Sequence, residues 1–283
     1  MNSSRFKKND IDNLYKFLLQ HESICVSLIQ NLGDQNHTAY CFYDTKNIIH
    51  GIISISKGGS ILHCLPELDS IQDSKNYFFE ILSQNKLFSI TGEQKGTSLL
   101  LDWIKEYNSK VPYQINNYRL MERMDDFAPM AINGTECHTD FQNCIFRQCT
   151  QDDLKNLIPL EIGFQKEEVV TDRQKIFPAV YSYTLSQEIK NKVLFAAIKD
   201  NKFIAKAGVS ASSWNYAQIG GVYTLPEYRR QGYSFATMNK LLSSLQKNNK
   251  KVVLFVNIEN YKAIEMYKKL GFSDIGSYQV AYF

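Results

Sequence analysis

The sequence predicts a mixed α/β protein in which β-strands and amphipathic helices alternate along the chain. Two observations support this prediction. Segments rich in β-branched and aromatic residues, such as Tyr216 to Thr224, have the length and the turn-forming borders of strands. Between such segments, apolar residues recur at the i, i+3, i+4 and i+7 positions of one helix face, as at Met238, Leu241, Leu242 and Leu245.

Length and composition narrow the class of protein. A chain of 283 residues is comfortable for two domains, and 44% hydrophobic residues can bury a sizeable core. The net charge of +3 comes without a block of Lys and Arg, and no apolar run is long enough to span a bilayer. The 6 cysteines include no C-x-x-C pair. We therefore expect a cytoplasmic protein with free thiols, without a metal site and without a nucleic-acid or membrane partner.

The first 125 residues show helices and strands but no phosphate-binding turn. Residues 10–32 predict one or two amphipathic helices. Ile61 to Leu65, the nearest candidate strand, leads into Pro66-Glu67-Leu68-Asp69, an acidic turn that would repel a phosphate. We predict that residues 1–125 form a domain without a cofactor site. Its further elements are strands at 38–43, 48–55, 60–65, 87–91 and 118–124 and helices at 74–82 and 98–107.

Residues 126–144 lack periodicity, contain the turn signal Asn133-Gly134, and are predicted to be a linker. Residues 145–283 are predicted to form the second domain. Thr150-x-x-Asp153 resembles a capping box at the start of its first helix. The predicted strands lie at 146–149, 193–198, 203–210, 216–224 and 251–256, with two more short strands within 272–283. The predicted helices lie within 154–169, 171–190 and 261–270, and a further helix follows Ser234 and runs through Leu245.

The stretch from Gly221 to Leu245 has the order strand, basic glycine turn, helix. Arg229, Arg230 and Gly232 lie in the turn. The first turn of a helix has unpaired N–H groups and the positive end of the helix dipole, and a glycine lets the backbone approach a ligand closely. This pattern predicts a cradle for a pyrophosphate. An ordinary strand–helix turn with two solvated arginines fits the same residues.

Two further signals flank this stretch. Gly220-Gly221 lies inside a predicted strand, where it indicates either a bulge that opens a slot in the sheet or a simple bend. Lys251 to Val256 is a continuous apolar run, typical of a strand that is buried on both faces. Asn260 is a good N-cap for the helix that follows, and Tyr267 lies on the apolar face of that helix.

The segments GGVYTLPEYRRQGYS and LFVNIENYKAIEMYKKLGF together resemble the GNAT superfamily of acyl-CoA-dependent N-acetyltransferases, over roughly residues 145–283. Arg229-x-x-Gly232-x-Ser234 looks like the pyrophosphate motif of this superfamily, with serine where glycine or alanine is usual. The chain is similar, more narrowly, to a two-domain subgroup whose first half is a degenerate copy of the fold. The resemblance implies a C-terminal GNAT fold with a splayed central sheet, acetyl-CoA as cosubstrate, and acyltransferase activity.

The resemblance also implies roles for individual residues. Backbone groups on the strand before the turn would pair with the pantetheine amides, and N–H groups of the turn would hold the pyrophosphate. Two asparagines after the next strand would contact the cofactor or fix a helix start. The residues expected at the cofactor are Val222, Tyr223, Thr224, Arg229, Arg230, Gln231, Gly232, Tyr233, Ser234, Asn257, Asn260 and Tyr267.

For catalysis, the resemblance places Tyr267 at the position of the general acid that protonates the departing thiolate. Because a phenol is neutral at pH 7, it can donate this proton, although a core tyrosine fits the same helix position. Some relatives use a glutamate as base on the strand before the turn, but Gln218 lies there and cannot serve. Glu167 and Glu168 are the candidate bases, and either also fits a solvated helix face. The amine would attack the thioester directly, without an acyl-enzyme.

Three functions remain open at this level. The first is an N-acetyltransferase that acts on the primary amine of a small molecule or a peptide. The second is a non-catalytic module that binds or senses acyl-CoA. It is suggested by Gln218, which lies where a glutamate base would be needed. The third is an aminoacyl-tRNA-dependent transferase, which the CoA-type turn and the lack of a strongly basic surface disfavour. The sequence specifies neither the acceptor nor the oligomeric state.

Overall fold

A computed structural model describes residues 3–5, 11–124, 141–169, 178–191 and 193–283 of the chain. These residues form nine α-helices and twelve β-strands. The strands are β1 (Ser3–Arg5), β2 (His37–Tyr43), β3 (Ile49–Ser56), β4 (Ser60–Cys64), β5 (Ser89–Glu93), β6 (Gln114–Arg123), β7 (Cys144–Gln148), β8 (Leu194–Lys199), β9 (Lys202–Ser212), β10 (Tyr216–Thr224), β11 (Lys251–Asn257) and β12 (Phe272–Tyr282). The helices are α1 (Ile11–Gln20), α2 (Val26–Asn31), α3 (Leu68–Ile71), α4 (Lys75–Gln84), α5 (Gln94–Asn108), α6 (Leu154–Phe164), α7 (Pro178–Lys190), α8 (Tyr233–Lys247) and α9 (Tyr261–Lys269).

The described strands form one mixed sheet in the order β1-β2-β3-β4-β5-β12-β6-β11-β10-β9-β8-β7. From either edge of the sheet to its centre, neighbouring strands follow the same order of parallel and antiparallel pairs. The parallel pair is β4 and β5 in one half and β10 and β11 in the other. At the centre the halves exchange strands, since β12 pairs with β5 and β6 pairs with β11. The sheet is therefore continuous, and the division into two domains stays a prediction.

Helices cover both faces of the second half of the sheet. The apolar face of α8, with Met238, Leu241 and Leu242 each at most 1% exposed, packs with α9 on one face. Such a side chain contributes roughly 1.5–3 kcal/mol by burial. On the opposite face, α6 and α7 pack over β8 and β9, and α2 from the first half packs over β9 and β10. The two faces differ because successive strand residues point to opposite sides.

Most predicted elements are confirmed to within a few residues. The capping box at Thr150 and Asp153 is present, and the Asn260 side chain accepts a hydrogen bond from the Ala263 amide as an N-cap. Pro159 does not break α6, which passes directly into a π-helical turn at Gln165–Val169. Within the part of the chain that the structure describes, every helix is too short or too polar to cross a membrane.

Some boundaries differ from the predictions. The prediction of two short strands within 272–283 is wrong, because β12 is one strand with an irregularity between Asp274 and Gly276. β1 was not predicted, and β7 begins at Cys144, the last residue of the expected linker. The rest of the linker up to residue 140 and the start of the helix predicted at 171–190 lie outside the described residues.

Candidate active site

The central feature is a slot between two parallel strands. β10 pairs with β11 only from Tyr216 to Ile219, opposite residues 251–254. Beyond this point β10 has a register shift against β9 between Gly220 and Tyr223, and Gly221 has a φ of +62°. A glycine adopts this left-handed conformation without steric cost. The predicted bulge is thereby confirmed, and the strands separate beyond it, so that the edge of β10 facing β11 is unpaired.

A basic turn closes one end of this slot. Arg230 and Gly232 both have positive φ, of +61° and +80°, and α8 begins at the next residue, Tyr233. Such a turn gathers successive backbone N–H groups at a helix N-terminus, which is a favourable place for an anion. The hydroxyl of Ser234 is hydrogen-bonded to that of Thr224, which ties the turn to the end of β10.

The two arginines of the turn differ in their environment. The Nε of Arg229 donates to the Thr224 carbonyl over 2.9 Å, and one terminal nitrogen lies 2.8 Å from a Glu167 carboxylate oxygen. Protein groups therefore hold the Arg229 guanidinium. Arg230 is exposed and has no side-chain partner among the described residues, so it is the arginine available to a phosphate.

Other residues of the turn have structural side chains. The Tyr233 ring is 1% exposed and packs among Ile204, Ala205 and Phe141, so that only its backbone faces the turn. Gln231 donates through Nε2 to the carbonyl of Glu227. For both, the roles that remain are those of their backbone N–H groups.

The two candidate bases lie side by side in the π-helical turn but in different electrostatic surroundings. Glu167 accepts hydrogen bonds from Arg229 and from the Tyr223 hydroxyl, the latter at 2.8 Å. Burial acts to raise its pKa, but these hydrogen bonds and the charge of Arg229 outweigh burial and hold the pKa below its usual value. Burial raises the pKa of Glu168, and the charge of Glu167 raises it further. Glu168 is therefore the better-suited base of the two.

Glu168 lies beside the start of α9. Its carboxylate accepts from the Nδ2 of Asn260 at 3.3 Å, while the Oδ1 of Asn260 caps the helix. Asn257, at the end of β11, uses its side-chain oxygen to accept from the Glu259 amide. Both asparagines thus fix the strand–helix junction at the open end of the slot.

Tyr267 lies on the buried side of α9 and is 7% exposed. Its hydroxyl has no hydrogen-bond partner among the described residues. Burial, and then the nearby charge of Glu168, raise its pKa well above the usual value for tyrosine. The phenol is therefore protonated at neutral pH and can donate. Glu168, Asn260 and Tyr267 are thus brought together although up to 99 residues separate them in the chain.

Tyr118 of β6 is a member of this site that sequence reasoning missed. It pairs in register with Asn257, and the charge of Glu168 contributes, after burial, to raising its pKa. No local pattern points to it, because it comes from the first half of the chain through the exchanged strand. Gln218, in contrast, is engaged by Ser27 and Ser210 at 2.9 and 3.1 Å, which supports the expectation that it cannot act as a base.

A buried lysine below the bulge was also missed. Lys206 of β9 is 1% exposed, and its Nζ lies 2.7 Å from a carboxylate oxygen of Glu161. The same nitrogen donates to the carbonyl of Gly221 over 2.8 Å. The detectable signal is the position of a lysine in FIAKAGV, an otherwise apolar strand segment.

In the first half of the sheet, the place that corresponds to the slot is filled. The pairing of β4 with β5 ends at Leu62, and the next side chain, His63, is buried against Gly92 and Gly96. A Cβ built on Gly92 would lie 2.2 Å from the imidazole ring. Burial lowers the pKa of His63 to about 3, so the ring is neutral. The absence of a cofactor site from residues 1–125 stays a prediction.

The site offers donors, acceptors and a slot, but no cluster for a metal. Within residues 11–124, 141–169, 178–191 and 193–283, no group of three or more His, Cys, Asp or Glu side chains is placed to hold one. The cysteines that are described, Cys25, Cys41, Cys64, Cys144 and Cys149, are free thiols.

Comparisons with known proteins agree with this geometry. A sequence profile of the Acetyltransferase (GNAT) family matches residues 165–272, which include the slot and the basic turn. An uncharacterized N-acetyltransferase of Methanocaldococcus jannaschii is 37% identical over 164 residues, covering 53% of this chain and 70% of the relative.

Solved structures share the fold along the whole chain. A GCN5-related N-acetyltransferase from Sphaerobacter thermophilus superposes with a TM-score of 0.65 at 11% identity, over 99% of this chain and 94% of its own. A GNAT-family acetyltransferase from Colwellia psychrerythraea superposes with a TM-score of 0.60 at 14% identity, over 100% of both chains. The expected GNAT fold is confirmed, and the chain belongs to the GNAT acetyltransferase family.

Proposed function

We propose that this protein transfers an acetyl group from acetyl-CoA to the primary amine of a small molecule or a peptide. The observation that carries the proposal is the slot between β10 and β11, which opens at the Gly221 bulge and ends at the basic turn before α8. Acetyl-CoA supplies an acetyl group that is activated as a thioester.

The residues of the slot fit an acyl-CoA. Beyond Ile219 the β10 edge is unpaired on the side of β11, so its N–H and C=O groups are available to an extended ligand with amide groups. The turn at Arg230 and Gly232 has the positive φ angles and the helix N-terminus that suit a pyrophosphate. The exposed guanidinium of Arg230 adds a cation there.

Two side chains can move the protons of the reaction. Glu168, whose pKa is raised by burial and by Glu167, accepts the proton that the amine loses as its nitrogen forms the new C–N bond. Tyr267, kept protonated by its raised pKa, gives a proton to the sulfur as the C–S bond breaks. The Asn260 side chain positions Glu168 at the start of the helix that carries Tyr267.

One observation favours a second function, an acyl-CoA-binding module without turnover. Gln218 takes the strand position at which some relatives use a glutamate base, and its amide oxygen accepts from Ser27 while its amide nitrogen donates to Ser210. Under this alternative the slot binds acetyl-CoA, but no amine is acetylated and Glu168 has only a structural role.

Calorimetric titration with acetyl-CoA, followed by release of free CoA thiol over a panel of amines and peptides, tests both functions. The proposal expects binding and amine-dependent thiol release that is lost in Tyr267→Phe. Tyr107→Phe is the matched control, because Tyr107 is an exposed tyrosine on α5 in the first half. Binding without thiol release for any amine would favour the module, and absence of binding would overturn both functions.

A further inference from the structure

We propose that the acceptor is a small primary amine that carries an aromatic ring on a short spacer, and that Tyr118 binds this ring. The inference rests on the proposed function, because it names the substrate class of the same site. The observation that carries it is an aromatic patch beside Glu168, which consists of Tyr118 on β6 and Phe255 on β11. The first half of the chain supplies β6 and therefore contributes to the acceptor site.

The aromatic patch lies on the face of the sheet that carries Glu168. Tyr118 and Phe255 pack at the border of a cluster that includes Val26 of α2. Because α2 and α6 cover the same face of the sheet, the aromatic patch shares this face with the π-helical turn that follows α6. The helix that carries Tyr267 packs on the opposite face. An amine that reaches Glu168 therefore has the aromatic patch next to it.

Contacts at the strand–helix junction place Tyr118 near Glu168. Tyr118 pairs in register with Asn257 at the end of β11, and shortly after it the Nδ2 of Asn260 donates to Glu168 over 3.3 Å. Besides burial, the negative charge of Glu168 raises the pKa of both Tyr118 and Tyr267. The Tyr118 side chain is therefore close to the two groups that move protons in the proposed reaction.

The faces of the Tyr118 ring are available to a ligand. The residue is half-buried, and among the described residues its ring stacks on no other ring, whereas Phe255 stacks on Tyr278 with 3.8 Å between ring centres. The Tyr118 hydroxyl accepts from the Nδ2 of Asn116 over 3.4 Å, which holds the far end of the ring. Aromatic side chains contact aromatic ligands with an offset or edge to face, and they attract a protonated amine. The aromatic patch therefore suits a ligand that combines a ring with an amine.

The spacing of the strands sets the length of the spacer. Neighbouring strands lie roughly 4.8 Å apart, so Tyr118 on β6 lies roughly 7 Å, one and a half spacings, from the middle of the slot. In a 2-arylethylamine the nitrogen lies roughly 5 Å from the ring centre by standard bond lengths. An offset contact between the two rings covers the remaining distance. A short alkylamine reaches the slot but leaves the aromatic patch without a contact.

The test measures kcat/KM from the release of CoA thiol with 2-phenylethylamine, 2-cyclohexylethylamine, n-butylamine and glycinamide, the last as a peptide-like amine. The cyclohexyl compound has the same spacer but no aromatic ring. We expect the unchanged protein to prefer 2-phenylethylamine about five-fold over the cyclohexyl compound, the factor of one aromatic pair. The preference over n-butylamine and glycinamide should be at least about ten-fold, because these two also bury less apolar surface.

Three variants separate the role of the Tyr118 ring from a purely structural one. Tyr118→Ala should bring the ratio between 2-phenylethylamine and the cyclohexyl compound close to one, while its KM for acetyl-CoA stays within about three-fold of the unchanged protein. Tyr118→Phe keeps the ring and should keep the five-fold preference. Tyr107→Ala is the matched control, because it removes an exposed tyrosine of α5 in the first half, and it should also keep the preference.

The outcomes distinguish this inference from the proposed function. Equal kcat/KM for the four amines in the unchanged protein, or a higher value for glycinamide, overturns the inference but leaves the proposed function standing. A preference that persists in folded Tyr118→Ala, as judged by circular dichroism, does the same. Absence of thiol release with these four amines and with every other amine and peptide of the panel overturns both.

Discussion

Replacement of Gly221 by alanine adds a single atom, the Cβ, to the bulge. Gly221 has a φ of +62°, and a Cβ there would lie 2.6 Å from the Lys206 Nζ. The left-handed conformation costs a non-glycine residue roughly 1–2 kcal/mol. If the ammonium moves away, one of its two polar contacts, at 2.7 and 2.8 Å, is lost. A hydrogen bond to a charged group is worth about 1.5–3 kcal/mol. We therefore expect Gly221→Ala to lower the free energy of unfolding by about 2.5–5 kcal/mol.

Gly33 is the matched control for this substitution. It has a φ of +87° with nothing within 4 Å of the position of its Cβ, so Gly33→Ala has the backbone strain without the collision. Urea unfolding followed by circular dichroism should give a loss of roughly 1–2 kcal/mol for Gly33→Ala. Equal losses in the two variants would refute the argument that Lys206 packs against the bulge. Gly221→Ala should also weaken acetyl-CoA binding, which Gly33→Ala should not change.

Three further predictions concern the titrating groups. Tyr267→Phe should lower turnover about 100-fold and change the affinity for acetyl-CoA less than about three-fold, since only proton donation is lost; equal effects on both would contradict the role of an acid. Because the pKa of Glu168 is raised from 4.5, kcat/KM should fall as the pH drops through this higher value, and Glu168→Gln should remove that limb from a pH–rate profile. Burial raises the pKa of Glu188 from 4.5 to about 7, so the folded chain keeps a proton that the unfolded chain releases, and stability falls as pH rises between these values. The free energy of unfolding of Glu188→Gln, relative to that of the native protein, should therefore rise by about 3 kcal/mol from pH 4.5 to pH 8. The same difference at both pH values would contradict this prediction.

The elements of this fold that local signals determine were predictable from the sequence. The helix α9 shows why, since its N-cap at Asn260 and its apolar face at Tyr267 are fixed by residues within three turns of each other. The turn before α8 was recognisable for the same reason. The pyrophosphate binding that we propose for it depends on backbone angles at Arg230 and Gly232, which are set within a few residues.

The strand exchange was not predictable, because strand pairing depends on contacts between distant parts of the chain. Nothing in the pattern of Gln114–Arg123 indicates that this strand pairs with β11 rather than with the strands of its own half. Tyr118 was missed as a consequence. The final segment is predicted as two short strands, whereas the long pairing of β12 with β6 continues past Gly276 as one strand.

The electrostatic differences within the site were also beyond the sequence. Glu167 and Glu168 are adjacent residues of the same type, so the sequence does not distinguish them. In the structure, Arg229 and Tyr223 contact Glu167, whereas Asn260 contacts Glu168, the candidate base. A lysine among apolar strand residues was visible, but its meaning depends on Glu161 and on the Gly221 carbonyl, which the fold brings to it from separate elements.

Hydrogen–deuterium exchange with and without acetyl-CoA tests the central claim, that the slot between β10 and β11 holds an acyl-CoA. We predict that the ligand slows exchange at the amides of 221–224, on the unpaired edge of β10, and of 230–234, in the basic turn. The amides around His63, where the corresponding place in the first half is filled, should be unaffected. Ligand binding that protects other segments and leaves 221–224 and 230–234 unchanged would contradict the account.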